Sequence, residues 1–392
     1  MGLNRWLLLS AFSIGAWAQS VSIDVLDATI KDKRVSGATV ILQQTGETSL
    51  RATTNAQGKA TINSPKNIGA SAILIVKKEG FSDLVVKCPC DGLTYALSPV
   101  MKSLDGLRIV LTWGATPSDL DSHLLYANKH IYFDKKGSGL AYLDVDDISS
   151  YGPETITIQK LEPNETYIYT VHNYSGKNAH TDALSKSGAK VFVYAGQSLV
   201  KTYNVPQKIA GNVWTVFKID ANGQIIDLNA IDEHIYNGQL PTEYIKRFAE
   251  KASGANAAAG VQIASAPIAS EAVELNNKGE RLYRAGNFQD SISYYQLAVE
   301  ADPRYAQAYS NMGLSYRKLN LFSESMWANR NAISIASGED ANIVRANSYY
   351  EIARLYEQNG AFLDALNYYQ LANRENPKQA YDKAIARVKA KL

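Results

Sequence analysis

Two stretches, Leu111–Leu124 (LTWGATPSDLDSHL) and Leu143–Glu154 (LDVDDISSYGPE), decide how the middle of this chain is read. Along a β-strand successive side chains alternate between faces, so Asp119, Asp121 and His123 are expected to project together from one side of a sheet. The same spacing puts Asp144 beside Asp146. Carboxylates gathered on one face repel one another and lose hydration, which is tolerated mainly where a cation, water or basic side chains neutralise them. Neither stretch contains Lys or Arg.

Calcium takes about six to eight oxygen ligands, and Asp119, Asp121, Asp144, Asp146, Asp147 and Glu154 with backbone carbonyls would supply them. His123 is discordant, because an imidazole favours zinc, manganese or nickel. His172 joins it if the two strands are neighbours. Calcium is therefore the expected ion and zinc the alternative. The competing reading makes the aspartates turn caps paired with distant lysines.

Outward from these stretches, LRIVLTW, HIYFD, TITIQKL, TYIYTVHNY, AKVFVYAG, SLVKTYNV and VWTVFKID are short runs bounded by Gly, Pro, Asn or Ser. That pattern predicts one β-sandwich over residues 104–230, with a hairpin turn at Asp220–Gly223 after which the strand pattern fades. Upstream, SIDVLDA, SGATVILQQ, NAQGKATI, SAILIVKKEG and DLVVKC alternate in the same way and predict a second sandwich over residues 19–101.

The order of LTWGATPSDLDSHL, LDVDDISSYGPETITI, YIYTVHNYSG, AKVFVYAG and GNVWTVFKID resembles the YfaP-like domain, an uncharacterised secreted bacterial β-sandwich. That resemblance names a module without giving it an activity. The run VSGATVILQQTGE, RATTNAQGKATI, ILIVKKEGFSD resembles the carboxypeptidase regulatory-like, transthyretin-like sandwich. There Gly37 and Ala38 would let strands pack closely and Asn55–Gly58 would form a hairpin turn; the module is structural and carries no catalytic residues.

The opening MGLNRWLLLSAFSIGAWAQS has one basic residue, Arg5, then an apolar run ending Ala16-Trp17-Ala18. This reads as a secretory signal peptide over residues 1–18, so the expected location is exported, periplasmic or secreted. No later segment reaches the length of about 20 apolar residues that a membrane helix needs, so no transmembrane segment is expected in the mature chain. With 392 residues, 46% hydrophobic and a formal charge of +2, the chain is long enough for several cores and has no charge excess suited to nucleic acid. Its two cysteines, Cys88 and Cys90, leave three states open: a strained disulfide, free thiols, or half of a metal site.

Residues 231–270 read as a short amphipathic helix, TEYIKRFAEKA, followed by an Ala/Ser-rich linker. From Ala272 the chain repeats. Gly279, Leu282, Gly286, Ser291, Tyr295, Ala298 and Pro303 recur after about 34 residues as Gly313, Tyr316, Asn320, Ser325, Asn329 and Ala332. They recur again as Ala353, Tyr356, Gly360, Ala365, Tyr369, Ala372 and Pro377, after a longer turn near Ser337–Asn342. This resembles the tetratricopeptide repeat over residues 272–305, 306–339 and 346–379, closed by a capping helix from Lys378. Asn329, where an aromatic is usual, is a departure. Basic and acidic residues nearly balance in this region, so its partner is expected to be a protein or peptide without a highly charged tail. Tyr305, Tyr309, Asn311 and Tyr349 are the candidate groove residues; packing of the repeats against the β modules is the competing reading.

The sequence holds no G-x-S-x-G, H-E-x-x-H, Walker A or G-x-G-x-x-G motif. The expected fold is therefore two all-β sandwiches followed by an all-α tetratricopeptide-repeat solenoid. The expected function is a non-enzymatic scaffold or adaptor, with a metal-dependent hydrolase or carbohydrate-binding protein centred on the middle sandwich as the alternative.

Overall fold

In the computed structural model, which describes residues 19–261 apart from positions 45, 66, 70, 71, 163 and 236–238, and residues 267–392, alternating segments form strands and repeating segments form paired helices. The expected signal peptide and part of the expected linker, residues 262–266, lie outside the described residues.

The first sandwich comprises β1 (Gln19–Asp27), β2 (Thr39–Gln43), β3 (Leu50–Thr53), β4 (Lys59–Ser64), β5 (Ile73–Lys77), β6 (Leu84–Lys87) and β7 (Leu93–Leu97). They form a three-stranded sheet, β4-β1-β7, and a four-stranded sheet, β3-β2-β5-β6. The hairpin turn expected at Asn55–Gly58 is present: the Gly58 N–H donates to the Asn55 carbonyl at 2.9 Å. Cys88 and Cys90 are joined in a disulfide and buried, so they are neither free thiols nor half of a metal site.

The second sandwich contains β8 (Leu107–Thr112), β9 (Asp121–Tyr126), β10 (Lys129–Ile131), β11 (Gly137–Ser138), β12 (Ala141–Val145), β13 (Glu154–Ile158) and β14 (Tyr167–His172). A short helix α1 (Ala183–Lys186) precedes β15 (Lys190–Ala195), β16 (Ser198–Asn204), β17 (Val213–Ile219) and β18 (Ile225–Asp232). One sheet runs β10-β9-β14-β17-β18 and the other β11-β12-β13-β8-β15-β16. The strand pattern was expected to fade after Gly223, but the turn there leads into β18, paired antiparallel with β17. Between the sheets lie Ile109, Leu111, Tyr169, Val191, Trp214 and Phe217. Every residue of β8 is buried, because the outer face of its sheet is also covered. Val110, Phe192 and Tyr194 on that face join the core of the first sandwich, and Arg108 donates to the Pro99 carbonyl at 2.6 Å.

Helix α2 (Thr242–Val261) is longer than the sequence reading allowed. The Ala-rich stretch expected to be linker continues the helix through Val261, since Ala is the strongest helix former and neither Pro nor a charge run interrupts it. Its Tyr244, Ile245 and Phe248 pack over Leu125 and Val213 on the outer face of the five-stranded sheet.

The helical region pairs α3 (Ser270–Arg284) with α4 (Phe288–Ala301), α5 (Ala306–Lys318) with α6 (Phe322–Ile335), and α7 (Ala341–Gln358) with α8 (Phe362–Glu375). Helix α9 (Gln379–Lys389) closes the stack. Helix α7 starts at Ala341, inside the segment expected to be a turn. A Cβ on Gly279 would stand 2.5 Å from the Tyr295 ring, and one on Gly313 would stand 2.4 Å from the Asn329 amide. Asn329 thus occupies the aromatic's place between paired helices, and it donates to the Ser325 carbonyl at 2.8 Å. The fold is two β-sandwiches followed by a tetratricopeptide-type helical solenoid.

Candidate metal centre

Strand β14 runs antiparallel to β9 and sets His172 opposite Asp121 and Thr170 opposite His123. Asp121, His123 and His172 therefore lie on one patch, and one donor atom from each falls within 4.8 Å of the others. A second group shares Asp121: its carboxylate, with those of Asp146 and Glu154, meets the same limit. All but Asp146 are buried.

Each carboxylate arrives from a different element. Asp121 opens β9, Glu154 opens β13 in the opposing sheet, and Asp146 follows the end of β12. The Ser122 N–H donates to Glu154 Oε2 at 2.5 Å, tying the two sheets at this end of the sandwich. Lys136 donates to Asp146 Oδ2 at 2.7 Å, and Lys31 of the first sandwich donates to the Asp146 carbonyl at 2.7 Å. Asp121 Oδ2, Asp146 Oδ1, Glu154 Oε1, His123 Nε2 and His172 Nδ1 remain buried without a hydrogen-bond partner. Buried polar atoms are nearly always satisfied, so these five are the atoms that a ligand bound here would reach.

The backbone around the second stretch is unusual. Ser150, Tyr151 and Gly152 have φ of 76°, 67° and 72°, a run of left-handed residues. A Cβ on Gly152 would come within 2.8 Å of Trp113, so glycine is required there by space as well as by conformation.

Electrostatics follow from burial. Asp121 is pushed up to about 8, first by burial and then by the Asp119 and Asp146 charges. Asp119 rises to about 6 for the same reasons, with Asp146 and Asp147 as its neighbours. Glu154 lies well above the carboxylate range through burial and Asp121. Burial lowers His123 well below its ordinary value, with His130 and His172 adding to the effect, and it lowers His172 to about 4. The imidazoles are thus neutral and able to offer lone pairs, while Asp121 and Glu154 hold their protons at neutral pH, protons that a bound cation would displace.

Other expected site residues go elsewhere. Asp144 does not share a face with Asp146: β12 bulges between Leu143 and Val145 and then ends, so the alternation fails. Its Oδ2 accepts from Thr157 at 2.6 Å, on the side where Arg108 lies. Asp147 caps a turn, accepting from the Ser149 N–H at 2.8 Å and the Ser149 hydroxyl at 2.7 Å. Asp119 sits at the margin of the cluster, its buried Oδ1 unpartnered.

His130 was missed. The run HIYFD read only as a strand, and the strand turned out to hydrogen-bond β9. His130 Nε2 lies 2.9 Å from His123 Nδ1, and Tyr132 stacks on the His123 ring at 5.6 Å. β9 and β10 form a hairpin that turns at Ala127-Asn128, both with positive φ, so the signal for His130 was this local turn, which the reading of HIYFD as a lone strand passed over.

The expected groove residues divide. Asn311 donates to Asn276 at 3.0 Å and to Glu280 at 3.2 Å, across the first helices of adjacent repeats. Tyr309 instead meets Trp327 edge-on and lines a cleft of about 690 Å³ against β16 of the second sandwich. Tyr349 packs beside Tyr368 and lines another cleft with Glu162 and Asn222 of that sandwich. Tyr305 is half-buried at the start of α5. Tyr309 and Tyr349 are therefore turned toward the β module, because the solenoid packs its α6 side on the sandwich.

The fold and this centre define a class: a β-sandwich and helical-repeat protein with a buried mixed carboxylate and imidazole cluster. No family profile matches the chain. No curated protein matches it. Solved chains that it resembles in its helical region include the first tetratricopeptide domain of Spaghetti (RPAP3) bound to an HSP90 peptide, at 17% identity and a TM-score of 0.29, covering 31% of this chain and 93% of that one. The tetratricopeptide domain of Arabidopsis OM64 is similar at 16% identity and TM-score 0.29, covering 31% and 97%. The N-terminal domain of C. elegans stress-induced protein-1 is similar at 16% identity and TM-score 0.29, covering 32% and 99%. Among the described residues no helix is long and apolar enough to cross a membrane.

Proposed function

We propose that the protein is an exported, non-enzymatic scaffold whose helical repeats hold a protein or peptide partner and whose second sandwich is clamped by a divalent cation, calcium ahead of zinc. The observation that carries the scaffold reading is a ladder of fixed polar side chains along the first helices of the repeats and the closing helix α9. Asn276 and Glu280 meet Asn311; Arg317 pairs with Glu351 at 2.5 Å; Arg354 pairs with Glu351 at 3.3 Å; Arg387 pairs with Glu357 at 2.6 Å. On α5, Gln307 and Asn311 lie on the opposite side from Tyr309, Met312 and Tyr316, which face the sandwich cleft. Asn276, Asn311 and Glu351 are buried in these pairs and fix the register of the helices, while the half-buried Gln307, Arg317 and Arg354 beside them are held in place for an extended peptide and lose little further freedom on binding.

The domain reading that accompanies this is a carboxypeptidase regulatory-like module over 19–101 and a YfaP-like module over 104–230, behind a signal peptide that directs the chain to the periplasm or outside the cell. The metal-dependent hydrolase or carbohydrate-binding alternative is disfavoured by burial: Asp121, His123, Glu154 and His172 are 1–3% exposed, and the clefts described above are lined by other residues. A structural cation fits a closed set of donors better than a reacting one does.

The test uses the full chain. A partner captured from envelope extracts should be lost on Arg317→Glu with Arg354→Glu and kept on a charge-reversing change away from the ladder, such as Lys208→Glu. Capture that survives the double substitution would rule out this face.

A further inference from the structure

We propose that Asp121, His123 and His172 form a transition-metal site of their own, adjacent to the all-carboxylate group and sharing Asp121 with it. This rests on the cation reading above only through Asp121.

The donor chemistry separates the two groups. Asp121, Asp146 and Glu154 offer oxygen alone, the set that hard cations such as calcium prefer. Asp121, His123 and His172 offer two imidazole nitrogens and one carboxylate, a set suited to zinc, cobalt, nickel or iron and poorly matched to calcium. His123 and His172 are 1% and 3% exposed, and His123 Nε2 and His172 Nδ1 both lack a hydrogen-bond partner. Two imidazole nitrogens left unsatisfied in one dry patch are otherwise a cost without return.

The surroundings orient these lone pairs. His123 Nδ1 lies 2.9 Å from His130 Nε2, so with His123 donating there, its buried and unpartnered Nε2 carries the free lone pair. His130 Nδ1 in turn lies 3.4 Å from the Thr242 hydroxyl, at the start of α2. Metal-bound histidines characteristically give their second nitrogen to an acceptor, which fixes the tautomer and the ring. Tyr132 stacked on His123 holds the ring against rotation. His130 is on this view a positioning residue, and through Thr242 the site is linked to the helix that leads toward the repeats.

The arrangement is tested on the full chain with Co²⁺ alone and Ca²⁺ alone as probes. Cobalt should give visible absorption bands. His123→Ala and His172→Ala should each remove them while leaving the calcium effect on melting in place, and Asp146→Asn should do the reverse. His130→Phe should weaken cobalt binding by about tenfold or more without abolishing it. Should a histidine variant fail to fold, ¹⁵N spectra of the wild-type imidazoles settle the matter. Zinc should move the His123 and His172 resonances and leave exposed His180 unchanged. Cobalt bands that persist in both histidine variants, absence of any bands, or zinc effects confined to His180 would overturn the proposal. So would loss of both metals in Asp146→Asn, which would mean one shared ion. A cobalt response that depends on the histidines in a protein indifferent to calcium would leave this site standing and remove the calcium reading.

Discussion

Arg330 of α6 lies 3.0 Å from Asp105, in the segment that leads into β8, and both side chains are buried. Tyr356 of α7 donates to the other Asp105 oxygen at 2.5 Å, so one carboxylate from the β region fastens two helices of the solenoid. Around it Leu104 packs into the helical core, Ser323 donates to the Ser103 carbonyl at 3.0 Å, and the Gln197 N–H donates to Glu324 at 3.0 Å. Burial opposes the Arg330 charge, but Asp105 and the nearby tyrosines outweigh it and hold its pKa above the ordinary value.

Removing one member of this pair leaves a buried charge alone. Arg330→Met should destabilise the protein by about 3–5 kcal/mol. Calorimetry should then show the helical region melting separately from the sandwiches. The double change Asp105→Leu with Arg330→Met should recover much of the loss, since an apolar pair removes both desolvation costs. An unchanged melt in Arg330→Met would mean that the two regions are not coupled through this contact.

Calcium in hundredfold excess over its dissociation constant should stabilise the chain by about 2.7 kcal/mol, and chelator should reverse the gain. Asp121→Asn keeps the side-chain shape and one acceptor but loses the charge, so the variant should fold and lose most of the response. Differential scanning fluorimetry with and without calcium measures this. A calcium response of normal size in Asp121→Asn would exclude the residue as a ligand.

Without metal, the acidic cluster should make the protein less stable as pH rises above neutrality. The folded-state values of Asp119 and Asp121, about 6 and about 8, lie above the ordinary value of 3.8. The folded state then binds more protons than the unfolded state between those limits, so stability falls as pH rises through the folded values. In chelator the melting temperature should decline from about pH 7 to about pH 8, above the range where the lowered His123 and His172 act in the opposite sense, and Asp121→Asn should flatten the slope. A melting temperature that climbs across this interval in chelator would contradict the burial of these charges.

Gly313 has no room for a methyl group, because its Cβ would stand 2.8 Å from Asn329 Cγ. Gly313→Ala should cost about 1–3 kcal/mol by overpacking. Adding Asn329→Ser should restore part of it, as urea denaturation would show. A neutral Gly313→Ala would place the helix contact elsewhere.

Gly254 lies inside α2 with open space around its Cβ position and an ordinary helical φ. Gly254→Ala should therefore raise stability by about 0.4–1 kcal/mol, through the smaller entropy of the unfolded chain. No gain in urea denaturation would mean that α2 is not helical at this position in solution.

Much of the fold was legible because its signals are local. Alternation marked most strands of both sandwiches, the Asn55–Gly58 and Asp220–Gly223 turns carried their own chemistry, and the repeat period marked the paired helices with their small residues at close approaches. β18 and the length of α2 were missed for want of a strong local pattern. Ile225–Asp232 is only partly buried, and an Ala-rich stretch has the composition of a linker and of a helix alike.

Sequence by itself determined the class of each region and the membership of Asp121, His123, Asp146 and Glu154 in a polar centre. Tertiary structure decided the rest of that centre. Alternation is a rule about one strand, and it failed for Asp144 where β12 bulges and ends. His172 entered through the pairing of β14 with β9, which leaves no mark in spacing, whereas His130 sits just past the Ala127-Asn128 turn of the β9–β10 hairpin, a local signal that was passed over. The same holds for Tyr309 and Tyr349: helical periodicity fixes which residues share a face, but only the packing of α6 on the sandwich decides which face is covered.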